Sequence, residues 1–176
     1  MVAEKPLAWL ARLLDGLGLT YAVIGAHAVN TWLEPRFTAD IDVTIELTAE
    51  SSRDLTAAFA REGFAVASTS GEGLPSGPDF MRFISQDRLV TVEFQPAKTS
   101  LQAAIARRAK LDRDGVRIAT PEDLIILKLI ANRPKDQVDL LGLVRLPDLD
   151  WPYVDRAARE WELAPQLSEL RARAGV

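Results

Sequence analysis

The sequence contains no cysteine and only one histidine, His27. Without cysteine, the chain forms neither a disulfide nor a thiolate zinc site, and one histidine excludes a multi-histidine metal centre built by this chain alone. A metal site must therefore use oxygen ligands. Oxygen ligands select magnesium, manganese or calcium, so any candidate metal site has to be sought among carboxylates.

The sequence also lacks an excess of positive charge and a long apolar run. It has 21 Lys and Arg against 25 Asp and Glu, a net charge of −4. This balance argues against a protein that coats DNA, although a local basic patch stays open. The N-terminal stretch is interrupted by Glu4, Arg12 and Asp15, which is typical of neither a signal peptide nor a membrane span. We expect a soluble, cytoplasmic protein.

Apolar periodicity and turn residues predict a mixed α/β order followed by helices. The predicted elements are helices at 7–17, 26–33, 48–63, 100–109 and 120–131, strands at 21–24, 41–47, 64–67, 80–85, 89–94 and 116–118, a loop at 68–78, and mostly helix over 135–174. The fold class is therefore α/β (α+β), a small mixed sheet with flanking helices. We expect a core over residues 1–119 and a helical region over 120–176, packed together as one structural unit.

Asp40 and Asp42 stand where the second of these strands begins, with Ile41 between them. Successive strand side chains point to opposite faces, so the two carboxylates share a face and lie about 7 Å apart. Such a pair can share a divalent cation, which relieves the repulsion of two like charges. The alternative is that the two acids merely flank the end of a strand, because D-x-D by itself is a weak pattern.

Gly25 ends the preceding strand and comes directly before a short predicted helix. A residue without Cβ lets a phosphate approach the backbone, and the free N–H groups of a helix N-terminus bind anions. The acidic pair follows after one helix and a return loop. The sequence thus predicts donors for a phosphate beside carboxylates for the metal that accompanies it.

Two stretches resemble a known family. GAHAVNTWLEPRFTADIDVTIE is similar to the nucleotidyltransferase signature of the polymerase-β superfamily, a Gly-Gly or Gly-Ser followed by D-x-D, and resembles the small bacterial group that includes the AbiEii-type toxins. PEDLIILKLIANRPKDQVDL resembles a second segment of that group. The chain departs from the pattern at Ala26, where the family has Gly or Ser, although the backbone N–H survives that change.

The resemblance implies a third carboxylate on a later strand, for which Glu93 is the candidate, although the family more often has Asp there. An exposed acid on an alternating strand is the other interpretation of Glu93. Lys128 lies on an apolar helix face, so it either extends to water or meets an anion, and Asp136 or Asp139 could pair with it or with Arg133.

The resemblance then implies the following site. Asp40, Asp42 and Glu93 are catalytic and hold Mg²⁺ (or Mn²⁺), while Gly25, Ala26 and Lys128 bind the nucleotide. Arg36 and Thr38 flank the acidic pair and are further candidates for phosphate contact, although a solvated loop position explains them equally well. For His27, a packing or capping role is favoured over catalysis.

These observations predict an enzyme that moves an NMP group from an NTP to an acceptor hydroxyl, with Mg²⁺ and release of pyrophosphate. The alternatives are a catalytically weak nucleotide-binding protein and a component of a toxin–antitoxin pair with a partner protein. The sequence does not distinguish a small molecule, an RNA or a protein as acceptor.

Overall fold

The fold is described from a computed structural model, which covers residues 5–71 and 77–176. The helices are α1 (Pro6–Gly16), α2 (Gly25–Trp32), α3 (Ala49–Arg61), α4 (Ser100–Arg108), α5 (Pro121–Ala131), α6 (Pro134–Leu143), α7 (Trp151–Glu160) and α8 (Ala164–Ala174). The strands are β1 (Tyr21–Ile24), β2 (Asp40–Ile45), β3 (Phe64–Ser70), β4 (Phe80–Ser85), β5 (Thr91–Pro96), β6 (Lys110–Leu111) and β7 (Arg117–Ile118). The predicted α/β fold with a mixed sheet and a helical C-terminal part is confirmed.

The described chain divides into two compact units. The first contains the described residues up to His27 and the described residues of Arg36–Ala119, and the second contains Ala28–Pro35 and Thr120–Val176. The predicted division into 1–119 and 120–176 stays a prediction. The short segment 28–35 goes with the helical unit, so α2 contributes residues to both units.

A mixed sheet forms the centre of the first unit, with its described strands in the order β3-β4-β5-β2-β1-β7-β6. The central strands β2 and β5 are parallel, and β2 is antiparallel to β1. One face is apolar because alternate residues of β1, β2 and β5 point to it: Tyr21, Val23, Ile41, Val43, Val92 and Phe94 are each at most 2% exposed. Phe59 from α3 packs against Phe83 and Phe94 on this side, with ring centroids 4.4 and 5.4 Å away.

The second unit is held by helix packing around α5, which contacts both α6 and α7. Thr120 caps α5, because its hydroxyl accepts a hydrogen bond from the backbone N–H of Asp123, and Pro121 occupies the first turn. Pro152 and Pro165 lie in the first turns of α7 and α8, where their missing N–H groups are not needed by the helix.

Some predicted bounds were wrong. Strand β3 continues to Ser70, so residues 68–70 of the predicted loop at 68–78 are strand, and its residues 72–76 lie outside the described part of the chain. Strand β5 begins at Thr91 rather than Leu89, because the turn before it is longer than expected. The two-residue strand β6 has too short a pattern to be recognised from sequence. Among the described helices, none is long and apolar enough to cross a membrane.

Candidate functional site

Asp40 and Asp42 occupy the first and third positions of β2. Ile41 and Val43, which alternate with them, are 2% and 0% exposed, whereas Asp40 is exposed and Asp42 half-buried. The predicted facing of the acidic pair is therefore confirmed: both side chains leave the strand on the face opposite to the apolar core. The pair sits at the end of the strand that meets solvent.

Gly25 fits against the carboxylate of Asp42. In the sheet, Ile24 lies opposite Asp42, and Gly25 follows with a φ of 64° at the beginning of α2. A Cβ added at Gly25 would lie 2.1 Å from Oδ2 and 2.8 Å from Cγ of Asp42. Both the backbone conformation and the lack of space require glycine here. The carboxylate of Asp42 thus lies against the first turn of α2, where helical N–H groups have no helical partner.

His27 is the third residue of α2 and is half-buried. Burial lowers the pKa of its imidazole below the ordinary 6.5, and the negative charge of Asp40 opposes this by raising it. The imidazole is therefore neutral at pH 7. Because Ile24 lies opposite Asp42 in an antiparallel pair, the start of α2 lies beside the Asp40 end of β2.

Glu93 lies directly beside Asp42, because β2 and β5 pair in register with Asp42 opposite Glu93 and Asp40 opposite Thr91. Paired residues of neighbouring strands share a face, so the third predicted carboxylate is on the same face as the first two. On its other side Glu93 lies opposite Arg82 of β4. The guanidinium of Arg82 donates from Nε to Oε1 of Glu93 at 2.8 Å, and its Nη2 donates to the same oxygen.

The carboxylates of Asp40 and Asp42 suit a hard divalent cation that is only partly enclosed by protein. Within residues 5–71 and 77–176, no group of three or more Asp, Glu or His side chains is disposed to hold a metal ion. Asp40, Asp42 and Glu93 therefore do not form a closed cage. Mg²⁺ usually takes one or two carboxylates and completes its octahedron with waters and substrate phosphates, and the Asp40–Asp42 pair fits that pattern.

The loop before β2 carries the two further candidates for nucleotide contact. Arg36 is exposed, and Thr38 is half-buried and donates its hydroxyl to the carbonyl of Asp40 at 3.5 Å. This hydrogen bond to the backbone of Asp40 places Thr38 beside the acidic pair. Contact of the Arg36 or Thr38 side chain with a phosphate stays a prediction.

Lys128 is buried in the second unit, with 5% of its surface exposed. Its ammonium donates to Asp136 at 3.0 Å and to Asp139 at 2.7 Å, and Nε of Arg133 donates to Asp136 at 2.7 Å. The predicted pairing with these two acids is confirmed, and the side chain does not extend to water. Its predicted contact with a phosphate stays a prediction.

The pKa of Asp136 reflects this network. Burial acts to raise it, and the hydrogen bonds and charges of Arg133 and Lys128 outweigh burial, so that the pKa lies below the ordinary 3.8. Asp136, which is 1% exposed, is thus ionised throughout the neutral range.

Arg82 is the residue of this site that sequence reasoning missed. A three-residue turn at 86–88 would pair Ser85 with Leu89 and set Glu93 opposite Met81. The turn instead spans 86–89, with Arg88 at a φ of 59°, so the N–H of Ser85 bonds to the carbonyl of Val90 and Glu93 faces Arg82. The alternation of apolar residues carried the signal. Met81 and Phe83 are apolar, as are Val92 and Phe94, and the observed register pairs them, whereas a register shifted by one residue would not.

The sequence matches one known family over residues 11–174, and its description is "Nucleotidyltransferase of unknown function (DUF6036)". No curated protein matches the sequence. The finer resemblance to the AbiEii-type group stays a prediction.

Several solved structures share the fold at low sequence identity. The lincosamide antibiotic adenylyltransferase LnuA, bound to lincomycin, has a TM-score of 0.55 and 14% identity, over 82% of this chain and 98% of its own. An antigenic nucleotidyltransferase-like protein from Paracoccidioides brasiliensis has a TM-score of 0.55 and 20% identity, over 93% and 89%. ANT(2")-Ia in complex with adenylyl-2"-tobramycin has a TM-score of 0.50 and 19% identity, over 96% and 92%. At these identities the likeness concerns the fold.

Proposed function

The chain belongs to this nucleotidyltransferase family, and from that membership we propose that it transfers the NMP group of an NTP to an acceptor hydroxyl and releases pyrophosphate. The observation that carries the proposal is the contact of Gly25 with Asp42. It sets a carboxylate of the acidic pair directly against the start of a helix, so that cation ligands and N–H donors for a phosphate lie side by side.

Asp40 and Asp42 would hold Mg²⁺ (or Mn²⁺), because their oxygens are the ligands these ions prefer. When bound, the ion neutralises charge on the triphosphate and polarises the reacting phosphoryl group. The neutral imidazole of His27 adds no further positive charge that would repel the cation beside Asp40.

The start of α2 would bind the phosphates through the backbone. Gly25 and Ala26 contribute N–H groups of the first turn, and the methyl of Ala26 leaves its N–H in place. Arg36 and Thr38 approach from the loop before β2, and Lys128 is the remaining candidate for phosphate contact. These groups would orient the α-phosphorus toward the acceptor.

Glu93 is the group that would accept the proton of the attacking hydroxyl. In that step the acceptor oxygen forms a bond to the α-phosphorus, the bond from that phosphorus to the bridging oxygen of pyrophosphate breaks, and the hydroxyl proton passes to the carboxylate. Its place beside Asp42 on the same face of the sheet supports this role.

The experiment is to incubate the protein with each α-labelled NTP, Mg²⁺ and a mixture of acceptors, and to follow the label. The mixture contains lincomycin and tobramycin, because two structures of similar fold are complexes with lincomycin and with adenylyl-2"-tobramycin, and it also contains cellular RNA and protein. We expect Asp40→Asn and Asp42→Asn each to abolish Mg²⁺-dependent transfer while the fold stays cooperative. Asp54→Asn, the same change at an exposed position of α3, is the control and should keep wild-type transfer. Near wild-type turnover in either active-site variant would show that the assignment is wrong.

The ion pair between Arg82 and Glu93 favours a second candidate, a protein that binds the nucleotide without transferring it. Arg82 occupies an oxygen of the carboxylate that the transfer step needs as its proton acceptor. Saturable binding of Mg-NTP with no label on any acceptor and no release of pyrophosphate would support this candidate.

A further inference from the structure

Three charged side chains form a row across the face of the sheet that carries the acidic pair. Arg82 of β4, Glu93 of β5 and Asp42 of β2 lie opposite one another in successive strand pairs. Neighbouring strands are about 4.8 Å apart, so Glu93 stands between a cation on one side and a carboxylate on the other. Glu93 therefore has two possible partners: the guanidinium of Arg82, or a divalent cation at the aspartates.

The structure shows Glu93 with the first of these partners. Both hydrogen bonds from Arg82 fall on Oε1, and Oε2 accepts none from the described residues. The guanidinium is further placed by Phe80, whose ring centroid lies 5.9 Å from its central carbon. Because β4 and β2 lie on opposite sides of β5, this contact is directed away from β2, and within the described residues Glu93 forms no three-acid group with the aspartates.

The pair can be broken readily. The Arg82 side chain is 44% exposed and that of Glu93 16%, so water screens their attraction and solvates the arginine once it is released. The ion pairs of Lys128 are different, since that side chain is 6% exposed and its partners at most 6%. A partly exposed pair next to a candidate cation site is therefore one that a divalent ion can displace.

We propose that Arg82 is a positioning residue that competes with the divalent cation for Glu93: it holds the third carboxylate away from Asp40 and Asp42, and Glu93 joins them only when a bound cation displaces it. This inference rests on the proposed function, because it takes the aspartate pair as the metal site. It goes further by assigning Arg82 a role and by making the third ligand conditional on the ion.

The test measures binding of Mn²⁺ alone, by electron paramagnetic resonance, to the full chain without nucleotide. Four proteins are compared: wild type, Arg82→Gln, Glu93→Gln and the double variant. We expect Arg82→Gln to bind Mn²⁺ about two- to tenfold more tightly than wild type, because the competitor is gone. In the Glu93→Gln background the same change should have no effect, since no carboxylate remains to be released.

The double variant separates competition from a general electrostatic effect. Loss of a nearby positive charge would strengthen Mn²⁺ binding in both backgrounds equally, and that result would overturn the proposal. Unchanged or weaker binding in Arg82→Gln would overturn it too. Arg82→Lys, which keeps the charge but not the two-donor fork, should give a smaller gain and serves if the glutamine variant does not fold. Arg53→Gln, an exposed arginine of α3, is the matched control and should bind as wild type.

Failure of the underlying site is distinguishable from failure of this inference. If Asp42→Asn leaves Mn²⁺ affinity unchanged, the aspartates are not the metal site and both proposals fail. If Asp42→Asn removes Mn²⁺ binding while Arg82→Gln behaves as wild type, the site stands and only the role of Arg82 is wrong.

Discussion

Replacing Gly25 with alanine tests the central contact of the site. An added Cβ would lie 2.1 Å from Oδ2 of Asp42, whereas ordinary contact begins at 3.4 Å, so the carboxylate must retreat by about 1.3 Å, the difference between these two distances. A displacement of about 1 Å of a group that positions a substrate costs on the order of 100-fold in rate. We therefore expect transfer to fall by about 100-fold and Mn²⁺ affinity to fall with it.

The same substitution also strains the backbone, and the loss of stability from this strain has to be separated from the effect of displacing Asp42. A φ of 64° costs an alanine about 1–2 kcal/mol, which lowers the Tm of a chain of this size by about 2–8 °C. Gly18→Ala is the matched control, because Gly18 has a φ of 67° and a Cβ added there would meet no atom within 4 Å. Its Tm should fall by a similar amount while Mn²⁺ affinity and transfer stay at wild-type levels.

The assays are thermal unfolding, Mn²⁺ binding and label transfer on the same protein samples. If Gly25→Ala and Gly18→Ala lose equal stability and both keep wild-type Mn²⁺ affinity, the contact between Gly25 and Asp42 has no part in cation binding. The functional link between the start of α2 and the acidic pair would then be refuted.

Two further predictions concern groups away from the acidic pair. Lys128→Met leaves Asp136 and Asp139 buried without their shared cation, so the free energy of unfolding in urea at pH 7 should fall by about 3–5 kcal/mol. Lys135→Met, at an exposed position of α6, is the control and should change the free energy of unfolding little. Equal effects of the two substitutions would mean that the ion pairs of Lys128 contribute nothing to stability. Burial, with the charge of Asp15, raises the pKa of Tyr21 to about 12. The phenol of the unfolded chain ionises near pH 10, so the free energy of unfolding should fall as the pH rises from 10 to 12. Tyr21→Phe should remove the part of this fall that comes from Tyr21. Absorbance at 295 nm that shows full ionisation of both tyrosines near pH 10 would contradict this prediction.

The sequence predicted the elements whose pattern is local. The alternation in β2 determined which side of the strand Asp40 and Asp42 occupy, because strand side chains have a period of two. Helix α5 begins close to the predicted residue 120, because the capping preference of Thr120 and the proline preference of Pro121 act within one helical turn. Gly25 was recognised as a backbone position, although the reason offered from the sequence was approach of a phosphate.

The structure added the partners of these residues, which depend on register and packing. The space that Gly25 leaves is taken up by Asp42, seventeen positions later in the sequence, through the pairing of β1 with β2. Arg82 was overlooked because a turn one residue longer changes every cross-strand pair of the hairpin. The structure also shows that the ammonium of Lys128 pairs with two carboxylates of α6 at once.

By itself, then, the sequence determined which groups are available to the candidate site: oxygen ligands in a chain without cysteine, two acids on one strand face, and a glycine before a helix. These follow from residue type and from periodicities of two and 3.6 residues. Only the tertiary structure decided which groups meet, because the strand order brings β5 between β2 and β4. That order places Glu93 between Asp42 and Arg82, and a contact between strands is fixed by pairing over the whole sheet rather than by any local pattern.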